Sequence, residues 1–327
     1  MFAEDRGVFR LYAEDGERSA RAPGRLHHRA AGAGDLPAVG DWVALKGRGA
    51  GPMQVIEAVL PRCSAFSRKV PGEKMAEQVL AANLDVMFVV NALSEGLHSR
   101  RIERYLTRAF ESGAQPVVLL TKSDSARLTA QELEAEAAFA AAGTPVHRVS
   151  SFSGEGVEEL RAYFAGHNTA ALVGPSGVGK STLINRLCGA EVQRTGEVRR
   201  DGKGRHVTTR RELVLLPEEG LILDTPGLRE LQLWEGERGL EEAFADILAL
   251  AAGCRFSDCR HETEPGCAVR AAVEAGHLDA ARVASLHKLR AELELLEEKK
   301  VRRVRASSSR RPRSTASARS SGRPPRK

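Results

Sequence analysis

Two short nucleotide-binding motifs stand in an unusual order along this 327-residue chain. Residues 174–181 read GPSGVGKS, the pattern G-x-x-x-x-G-K-S of a phosphate-binding P-loop. Residues 121–124 read TKSD and have the form [N/T]-K-x-D, with which GTPases recognise guanine. In an ordinary GTPase the phosphate loop comes first, but here it follows the guanine-type motif by about fifty residues. If both motifs bind nucleotide, the P-loop fold of this chain is circularly permuted.

The residues around the P-loop fit the structure that phosphate binding needs. An apolar run at 169–173 precedes the loop, and a helical run from Ser181 to Cys188 follows it. The glycines let backbone N–H groups turn towards phosphate oxygens, and the helix N-terminus favours an anion. We therefore expect Lys180 to reach the β- and γ-phosphates and Ser181 to ligate Mg²⁺. The residues predicted to form this phosphate site are Gly174, Pro175, Ser176, Gly177, Val178, Gly179, Lys180, Ser181 and Thr182.

A second segment is predicted to complete the magnesium and γ-phosphate site. Asp224-Thr225-Pro226-Gly227 directly follows the apolar run at 221–223, as expected of an acidic residue at a strand end. Asp224 is predicted to hold the water shell of Mg²⁺, and the Gly227 N–H to meet the γ-phosphate. A simple turn is the alternative for a motif this short, but its position downstream of a P-loop favours the GTPase interpretation.

The guanine side of the predicted site involves two loops that follow strands. Thr121, Lys122 and Asp124 come at the end of the apolar strand 117–120, where open α/β sheets bind ligands. The Asp124 carboxylate would accept hydrogen bonds from guanine N1–H and N2–H₂, while the Lys122 stem would lie along the base. Ser150, after the next strand, is predicted to belong to the second guanine-side loop. Each motif alone could be a surface loop; together they favour GTP over ATP.

The residue that orients the attacking water is not obvious from the sequence. Many GTPases place a glutamine just after D-x-x-G, whereas this chain has Leu228. Either His206, whose imidazole can accept a proton near neutral pH, or a partner would have to act instead. In the same segment, Thr208 is the first choice and Thr209 the second for an additional Mg²⁺ ligand. The predicted catalytic residues are thus His206, Lys180 and Thr208, with slow hydrolysis by the isolated protein.

Four soft ligands lie close together near the C-terminal end. Cys254, Cys259, His261 and Cys267 form the pattern C-x₄-C-x-H-x₅-C. Three thiolates and one imidazole make a complete tetrahedral set for a structural Zn²⁺ ion, with no position open for catalysis. A disulfide is the less favoured alternative because the cytosol is reducing.

Charge is distributed unevenly along the chain. The net charge is +6, yet residues 301–327 contain nine arginines, one lysine and no acid. This Ser- and Pro-rich tail is expected to be disordered, and either increases solubility or binds an anionic polymer such as RNA. No apolar run approaches 18 residues and no signal peptide is recognisable, so we expect a cytoplasmic protein without a membrane span.

The distribution of strand-like and helical runs predicts an α/β protein that consists of several parts. Short strand-like runs within the first 65 residues suggest a small barrel of the OB or SH3 type, with Trp42 in its core or at its end. From residue 85, apolar strands alternate with helices, which is typical of a parallel sheet covered on both faces. The predicted parts are this small barrel (1–68), a circularly permuted P-loop GTPase domain (69–235), a helical zinc-binding domain (236–300) and the basic tail (301–327).

Taken together, these motifs resemble the bacterial ribosome small subunit-dependent GTPase A family. TKSD, GPSGVGKST, GRHVTT, DTPG and the Cys/His cluster all occur in the order found in that family. The resemblance implies that the N-terminal barrel (1–68) is of the OB type. It further implies a monomeric GTPase that binds the 30S subunit and 16S rRNA, hydrolyses GTP to GDP late in subunit maturation, and is stimulated by that subunit. It also implies that His206 is catalytic, although Val207 replaces the first threonine usual in the family's loop. The alternatives are a P-loop ATPase or nucleotide kinase, and a non-catalytic RNA-binding assembly factor.

Overall fold

The computed structural model describes seven stretches of the chain, namely residues 1–47, 52–69, 77–125, 128–192, 212–217, 220–224 and 237–308. His206, Thr208, Thr209 and Gly227 lie outside these stretches, as does the side chain of Asp224. The strands are β1 (Ala3–Asp5), β2 (Val8–Ala13), β3 (Gly16–Arg21), β4 (Val43–Leu45), β5 (Met53–Val59), β6 (Ala65–Lys69), β7 (Glu77–Ala82), β8 (Val86–Ala92), β9 (Gln115–Thr121), β10 (Val146–Val149), β11 (Thr169–Val173), β12 (Glu212–Leu215) and β13 (Leu221–Asp224). The α-helices are α1 (Gly24–Arg29), α2 (Ser99–Ser112), α3 (Ala130–Ala141), α4 (Val157–Leu160), α5 (Lys180–Cys188), α6 (Glu237–Ala243), α7 (Ala245–Ala251), α8 (Ala268–Glu274) and α9 (Ala280–Ser308).

A mainly parallel sheet forms the centre of the molecule, in the order β10-β9-β8-β11-β13-β12. All neighbouring strands run parallel except β12, which is antiparallel to β13. Every residue of β8 and β11 is buried. Successive residues of β8 belong to two different cores: Met87 packs in the core that includes α2, and Phe88 in the one that includes α5. The prediction of a parallel sheet buried on both faces is confirmed.

The N-terminal strands form a sheet in the order β1-β2-β3-β5-β4, in which β3 and β5 are parallel. Its small core consists of Phe9, Leu11, Ala20 and Ile56. This sheet is continuous with the central one, because β1 pairs with β12 and the Leu213 N–H donates to the Phe2 carbonyl at 2.8 Å. Closure of the five strands into an OB-type barrel stays a prediction.

Two features of this part differ from what the sequence suggested. The strands β6 and β7 pair with each other in a separate antiparallel sheet that was not predicted from the sequence. Trp42 is 68% exposed, so the first of its two predicted positions, in the core, is wrong, while a position at the end of a barrel stays a prediction. It immediately precedes β4 on the face turned away from the apolar cluster. An apolar residue type in a strand-like run indicated burial, but only the strand pairing could show which face it occupies.

The C-terminal part is helical, as predicted, and contains α6 to α9. Helix α9 ends at Ser308, although the residues from 301 onwards were expected to be disordered. That expectation is wrong for residues 301–308, which contain no proline or glycine to stop the helix before Pro312. None of the helices in the described stretches is both long enough and apolar enough to span a membrane.

A buried charge network attaches α9 to the helix that follows β8. The Arg282 guanidinium donates to Glu103 Oε1 of α2 at 3.0 Å and to Asp246 Oδ1 of α7 at 2.8 Å. It also donates to the Ala243 carbonyl at 2.9 Å and lies 4.8 Å from the Phe244 ring centroid. Burial raises the pKa of Glu103, an effect that the hydrogen bond from Ser285 and the charge of Arg282 oppose. This network fixes the helical domain on the central domain.

Replacing Arg282 with alanine is expected to destabilise the protein by about 3–5 kcal/mol, because it leaves the Glu103 carboxylate buried without its counter-ion. The matched control is Arg270→Ala, whose partner Glu274 is 70% exposed, and which should cost less than about 1 kcal/mol. Denaturant unfolding of the two variants measures the difference. Equal losses of stability in both would show that the Arg282 network does not hold the domains together.

Candidate nucleotide site and metal centre

The P-loop connects the buried strand β11 to helix α5, as its sequence predicted. Gly174 has φ +153°, and a Cβ atom there would lie 2.5 Å from the Val90 carbonyl oxygen of β8. Only glycine therefore allows the chain to leave β11 so close to its neighbour. Lys180 Nζ donates to the carbonyls of Gly174 at 2.8 Å and Pro175 at 2.6 Å, so the ammonium group lies against the loop. A cation in this position can balance the charge of a bound phosphate.

Thr121 connects the guanine-type motif to the P-loop. Its side-chain Oγ1 donates to the Val178 carbonyl of the P-loop at 2.6 Å, and lies 3.4 Å from the Asn91 carbonyl at the end of β8. Thr121 is 2% exposed, and Val178 is fully buried. These contacts position the two loops relative to each other, and the binding of nucleotide by Thr121 stays a prediction. The first position of the T-K-x-D pattern marked the residue, but not this role.

The predicted guanine-side residues come together at the ends of β9 and β10. These strands are adjacent and parallel, with Thr121 paired to Val149, so the residues that follow them are neighbours. The Ser150 hydroxyl donates to Asp124 Oδ1 and accepts from the Ser153 N–H at 3.1 Å. Ser150 is fully buried and so orients the Asp124 carboxylate. The other carboxylate oxygen of Asp124 and the aliphatic stem of Lys122 are chemically suited to contact a purine base.

The loop after β10 is held against the sheet by its own backbone. Gly156 has φ +69°, and a Cβ atom there would lie 2.1 Å from the Arg148 carbonyl oxygen. The Ser150 N–H donates to the Glu155 carbonyl at 3.0 Å, and the Gly154 N–H to the Ser150 carbonyl at 2.8 Å. This compact turn fixes the position of Ser150, and such preorganisation lowers the entropy cost of binding a ligand.

The predicted phosphate, magnesium and guanine segments all leave the same edge of the central sheet. Strand β13 ends at Asp224, and its register pairs Asp224 with Leu172 of β11, beside the P-loop. In the order of the sheet, β9 and β10 lie on one side of β8, and the later strands β11 and β13 lie on its other side. Ligands of open α/β sheets bind at the carboxyl ends of the strands where the order reverses in this way. A single nucleotide placed there would meet all three segments.

The four predicted zinc ligands form a cluster in the helical domain. One ligand atom from each of Cys254, Cys259, His261 and Cys267 lies within 4.8 Å of the other three. The Cys254 and Cys267 sulfurs are 3.9 Å apart, and His261 Nδ1 lies 3.6 and 3.4 Å from them. Two thiolates on one tetrahedral zinc ion, each bonded at about 2.3 Å, are separated by about 3.8 Å. The donor set and its spacing therefore fit one structural Zn²⁺ ion.

Glu264 organises the loop that carries His261, a role without a signal in the sequence. Its carboxylate accepts from the N–H groups of Arg260 and Glu262 at 2.9 Å and of Thr263 at 3.0 Å. These bonds, that of Arg260 foremost, lower the pKa of Glu264 to about 2. Because the folded-state pKa is depressed, the stability that this carboxylate contributes is present at neutral pH and is lost as the pH falls towards 2.

The comparisons with known proteins agree with this geometry. The family model described as RsgA GTPase matches residues 59–234, more than half of the chain. The chain belongs to the RsgA GTPase family. A curated relative from Opitutus terrae, named small ribosomal subunit biogenesis GTPase RsgA, is 50% identical over 86% of this chain and 79% of its own length. One from Syntrophotalea carbinolica with the same name is 45% identical over 88% of this chain and 80% of its own length.

Solved structures show the same architecture. YjeQ from Thermotoga maritima superposes with a TM-score of 0.65 at 25% identity, covering 89% of this chain and 96% of that one. YloQ, described as a circularly permuted GTPase, gives a TM-score of 0.64 at 21% identity, covering 90% and 93%. The circularly permuted fold predicted from motif order is therefore confirmed, and the chain is a GTPase of the RsgA family.

Proposed function

We propose that this chain binds the small ribosomal subunit and its 16S rRNA, and hydrolyses GTP to GDP during late maturation of that subunit. The observation that supports the proposal is that the Asp124–Ser150 pair and the P-loop with Lys180 lie at the same edge of the central sheet. One nucleotide bound at this edge would contact both. Relatives named for small-subunit biogenesis, up to 50% identical, supply the biological setting. The protein would act as a monomer in the cytoplasm.

The proposed roles of the site residues follow from their chemistry. Asp124 selects guanine, and Lys180 balances charge on the β- and γ-phosphates. Ser181, Asp224 and Thr208, or Thr209 in place of Thr208, would hold Mg²⁺ directly or through its water shell. When bound, the ion neutralises phosphate charge. His206 or a group of the ribosomal subunit would orient the attacking water, since Leu228 has no hydrogen-bonding side chain.

The proposal is tested by steady-state GTP turnover with and without purified 30S subunits. We expect slow turnover by the protein alone and strong acceleration by the subunits. A His206→Ala variant separates the two sources of water orientation: it should lose the stimulated rate if His206 acts, and keep it if the ribosome does. Absence of stimulation by any ribosomal particle would contradict the proposed function.

Nucleotide choice distinguishes this proposal from a P-loop ATPase or nucleotide kinase. In Asp124→Asn the carboxylate is replaced by an amide, which accepts one of the two guanine N–H bonds and opposes the other with its own donor. We expect GTP binding to weaken roughly 10- to 150-fold, from about 1.5–3 kcal/mol per hydrogen bond to a charged group, while ATP binding changes little. Calorimetric titration of both nucleotides measures this.

The control for that substitution is Glu134→Gln, which removes a carboxylate from an exposed position of α3. It should leave the preference for GTP unchanged. If Asp124→Asn also left the preference unchanged, the alternative of an ATPase or kinase would be favoured.

The basic C-terminal residues are proposed to add affinity for rRNA without reading its sequence. Deleting residues 309–327 removes six arginines and one lysine. RNA affinity should fall, and the slope of log affinity against log salt should become shallower by up to about 0.7 per lost phosphate contact. A tail of equal length with serine at the seven basic positions is the control for length. An unchanged slope would show that the tail does not contact phosphates.

A further inference from the structure

A groove between helices α6 and α9 of the helical part has an apolar floor, and is here called the α6–α9 groove. It encloses about 790 Å³ and also reaches α7 and the last turn of α2. Its floor includes Leu240 and Leu286, which are 4% and 1% exposed, together with Leu248 and Leu293. A ligand that fills this groove therefore needs an aliphatic surface.

The rim of the α6–α9 groove carries an excess of negative charge. Five glutamates and two arginines line the groove, so carboxylates outnumber guanidinium groups by three. Three of the glutamates, Glu237, Glu241 and Glu294, are exposed and form no ion pair within the described stretches of the chain. One of the arginines, Arg238, is 74% exposed and donates to Glu242, outside the groove, at 2.9 Å. Such a rim attracts a cationic ligand and repels nucleic acid.

Residues 309–327 of the same chain have the matching chemistry. They contain six arginines and one lysine, but no acid and no large apolar residue. The arginine side chain has an aliphatic stem that can lie on leucines while its guanidinium group binds carboxylates. Arginines alone therefore offer both of the surfaces that the groove needs.

The attachment point of residues 309–327 lies within reach of the α6–α9 groove. Helix α9 lines the groove as far as Glu297 and ends at Ser308, about 17 Å further along its axis. Nineteen residues in extended form span up to about 60 Å, so they are long enough to return along α9 to the groove. Attachment to the same chain gives the segment an effective concentration in the millimolar range, at which even weak contacts form.

We propose that the α6–α9 groove binds the arginines of residues 309–327, and that RNA has to compete with the groove for this segment. The contact is autoinhibitory, because the groove neutralises the basic residues until a polyanion of higher charge density replaces it. Occupation of the groove does not depend on the proposed function. Only the competition with RNA rests on that function.

The first experiment titrates a fluorescein-labelled peptide of residues 309–327 with the full-length chain whose seven basic tail positions are serine. We expect the anisotropy of the peptide to rise on binding. In the same chain, Glu237→Gln, Glu241→Gln and Glu294→Gln together, here called the groove variant, should weaken binding about 10-fold. This factor is equivalent to about 1.4 kcal/mol, and thus to a few exposed ion pairs. The chain with its natural tail, which fills the groove itself, should bind the peptide more weakly than the serine-tailed chain.

The control variant removes three exposed carboxylates outside the groove, by Glu14→Gln, Glu134→Gln and Glu158→Gln. It changes the net charge as much as the groove variant does, but should bind the peptide as tightly as the serine-tailed chain. All six substituted positions are exposed, so both variants should keep the circular dichroism of the unchanged protein.

The second experiment tests the competition with RNA. With the natural tail, the groove variant should bind an unstructured 12-nucleotide RNA up to about 10-fold more tightly than the control variant, because its tail is free for RNA a larger part of the time. With the serine tail, the groove and control variants should bind this RNA equally.

Each contrary result overturns a stated part of the proposal. Equal peptide affinity of the groove and control variants overturns the binding of residues 309–327 in the groove. Equal RNA affinity of these variants with the natural tail overturns the competition. If the unchanged chain sediments as a dimer and the groove variant does not, the groove takes the tail of a second copy, which overturns a contact within one chain. If 30S subunits fail to stimulate GTP turnover, the proposed function fails, whereas the peptide titration still decides what the groove binds.

Discussion

Alanine at position 180 is expected to reduce 30S-stimulated GTP turnover by at least about 100-fold, the scale seen when one preorganised charge-stabilising group is removed. Lys180 Nζ lies within 2.8 Å of two P-loop carbonyls, so its charge sits against the phosphate-binding backbone before nucleotide binds. Without it, the negative charge that develops on the β–γ bridging oxygen loses its nearest fixed cation. Turnover at saturating GTP and saturating 30S subunits measures the loss.

Lys288→Ala provides the control for that substitution, because Lys288 is exposed on α9. It should turn over GTP at the normal rate. Circular dichroism of both variants should match that of the unchanged protein. Retention of more than a tenth of the rate by Lys180→Ala would mean that residues 174–181 do not bind the transferred phosphate.

Loss of the metal centre is expected to unfold the segment around residues 254–267 while GTP binding survives. Structural zinc sites of this type contribute about 10–16 kcal/mol to folding at neutral pH. Cys267→Ser is the sharpest variant, because Cys267 is 6% exposed and its sulfur also accepts from the Arg270 N–H at the start of α8. Zinc content should fall from one ion per chain towards none, and 30S affinity should fall with it.

The comparison variant for the metal centre is Cys63→Ser, since Cys63 is exposed and is far from the cluster in sequence. It should keep one zinc ion and normal binding. Full zinc content in Cys267→Ser would contradict the assignment of this residue as a ligand. Normal 30S affinity after zinc removal would show that the helical domain does not dock on the subunit.

The order of the motifs was sufficient to predict the permuted fold, because each motif has a fixed place at the end of a strand. TKSD could be placed at the end of β9, and GPSGVGKS at the start of α5, from apolar runs alone. The Cys/His cluster was recognisable because thiolates and imidazoles that share a metal must lie close together. These features are local in sequence, so they can be recognised without knowledge of the tertiary structure.

What the sequence could not show depends on contacts between distant residues. The Thr121–Val178 hydrogen bond joins residues 57 positions apart, and the Arg282–Glu103 pair joins residues 179 apart. A position of Trp42 in the core could not be excluded from the sequence for the same reason, because the face it occupies is decided by pairing of β4 with β5. Residues 301–308 were predicted as disordered because a run of basic residues resembles a disordered tail, although arginine is a good helix former.

The pairing of β1 with β12 has a consequence for how the protein opens. Backbone hydrogen bonds that cross from one part to another make the two parts exchange amide protons as one cooperative unit. The Leu213 N–H, bonded to the Phe2 carbonyl, should therefore be protected only while the N-terminal strands stay folded. Because β12 is the first described strand after the segment that carries His206, anything that stabilises the N-terminal strands also slows the fraying of the sheet on which that segment ends.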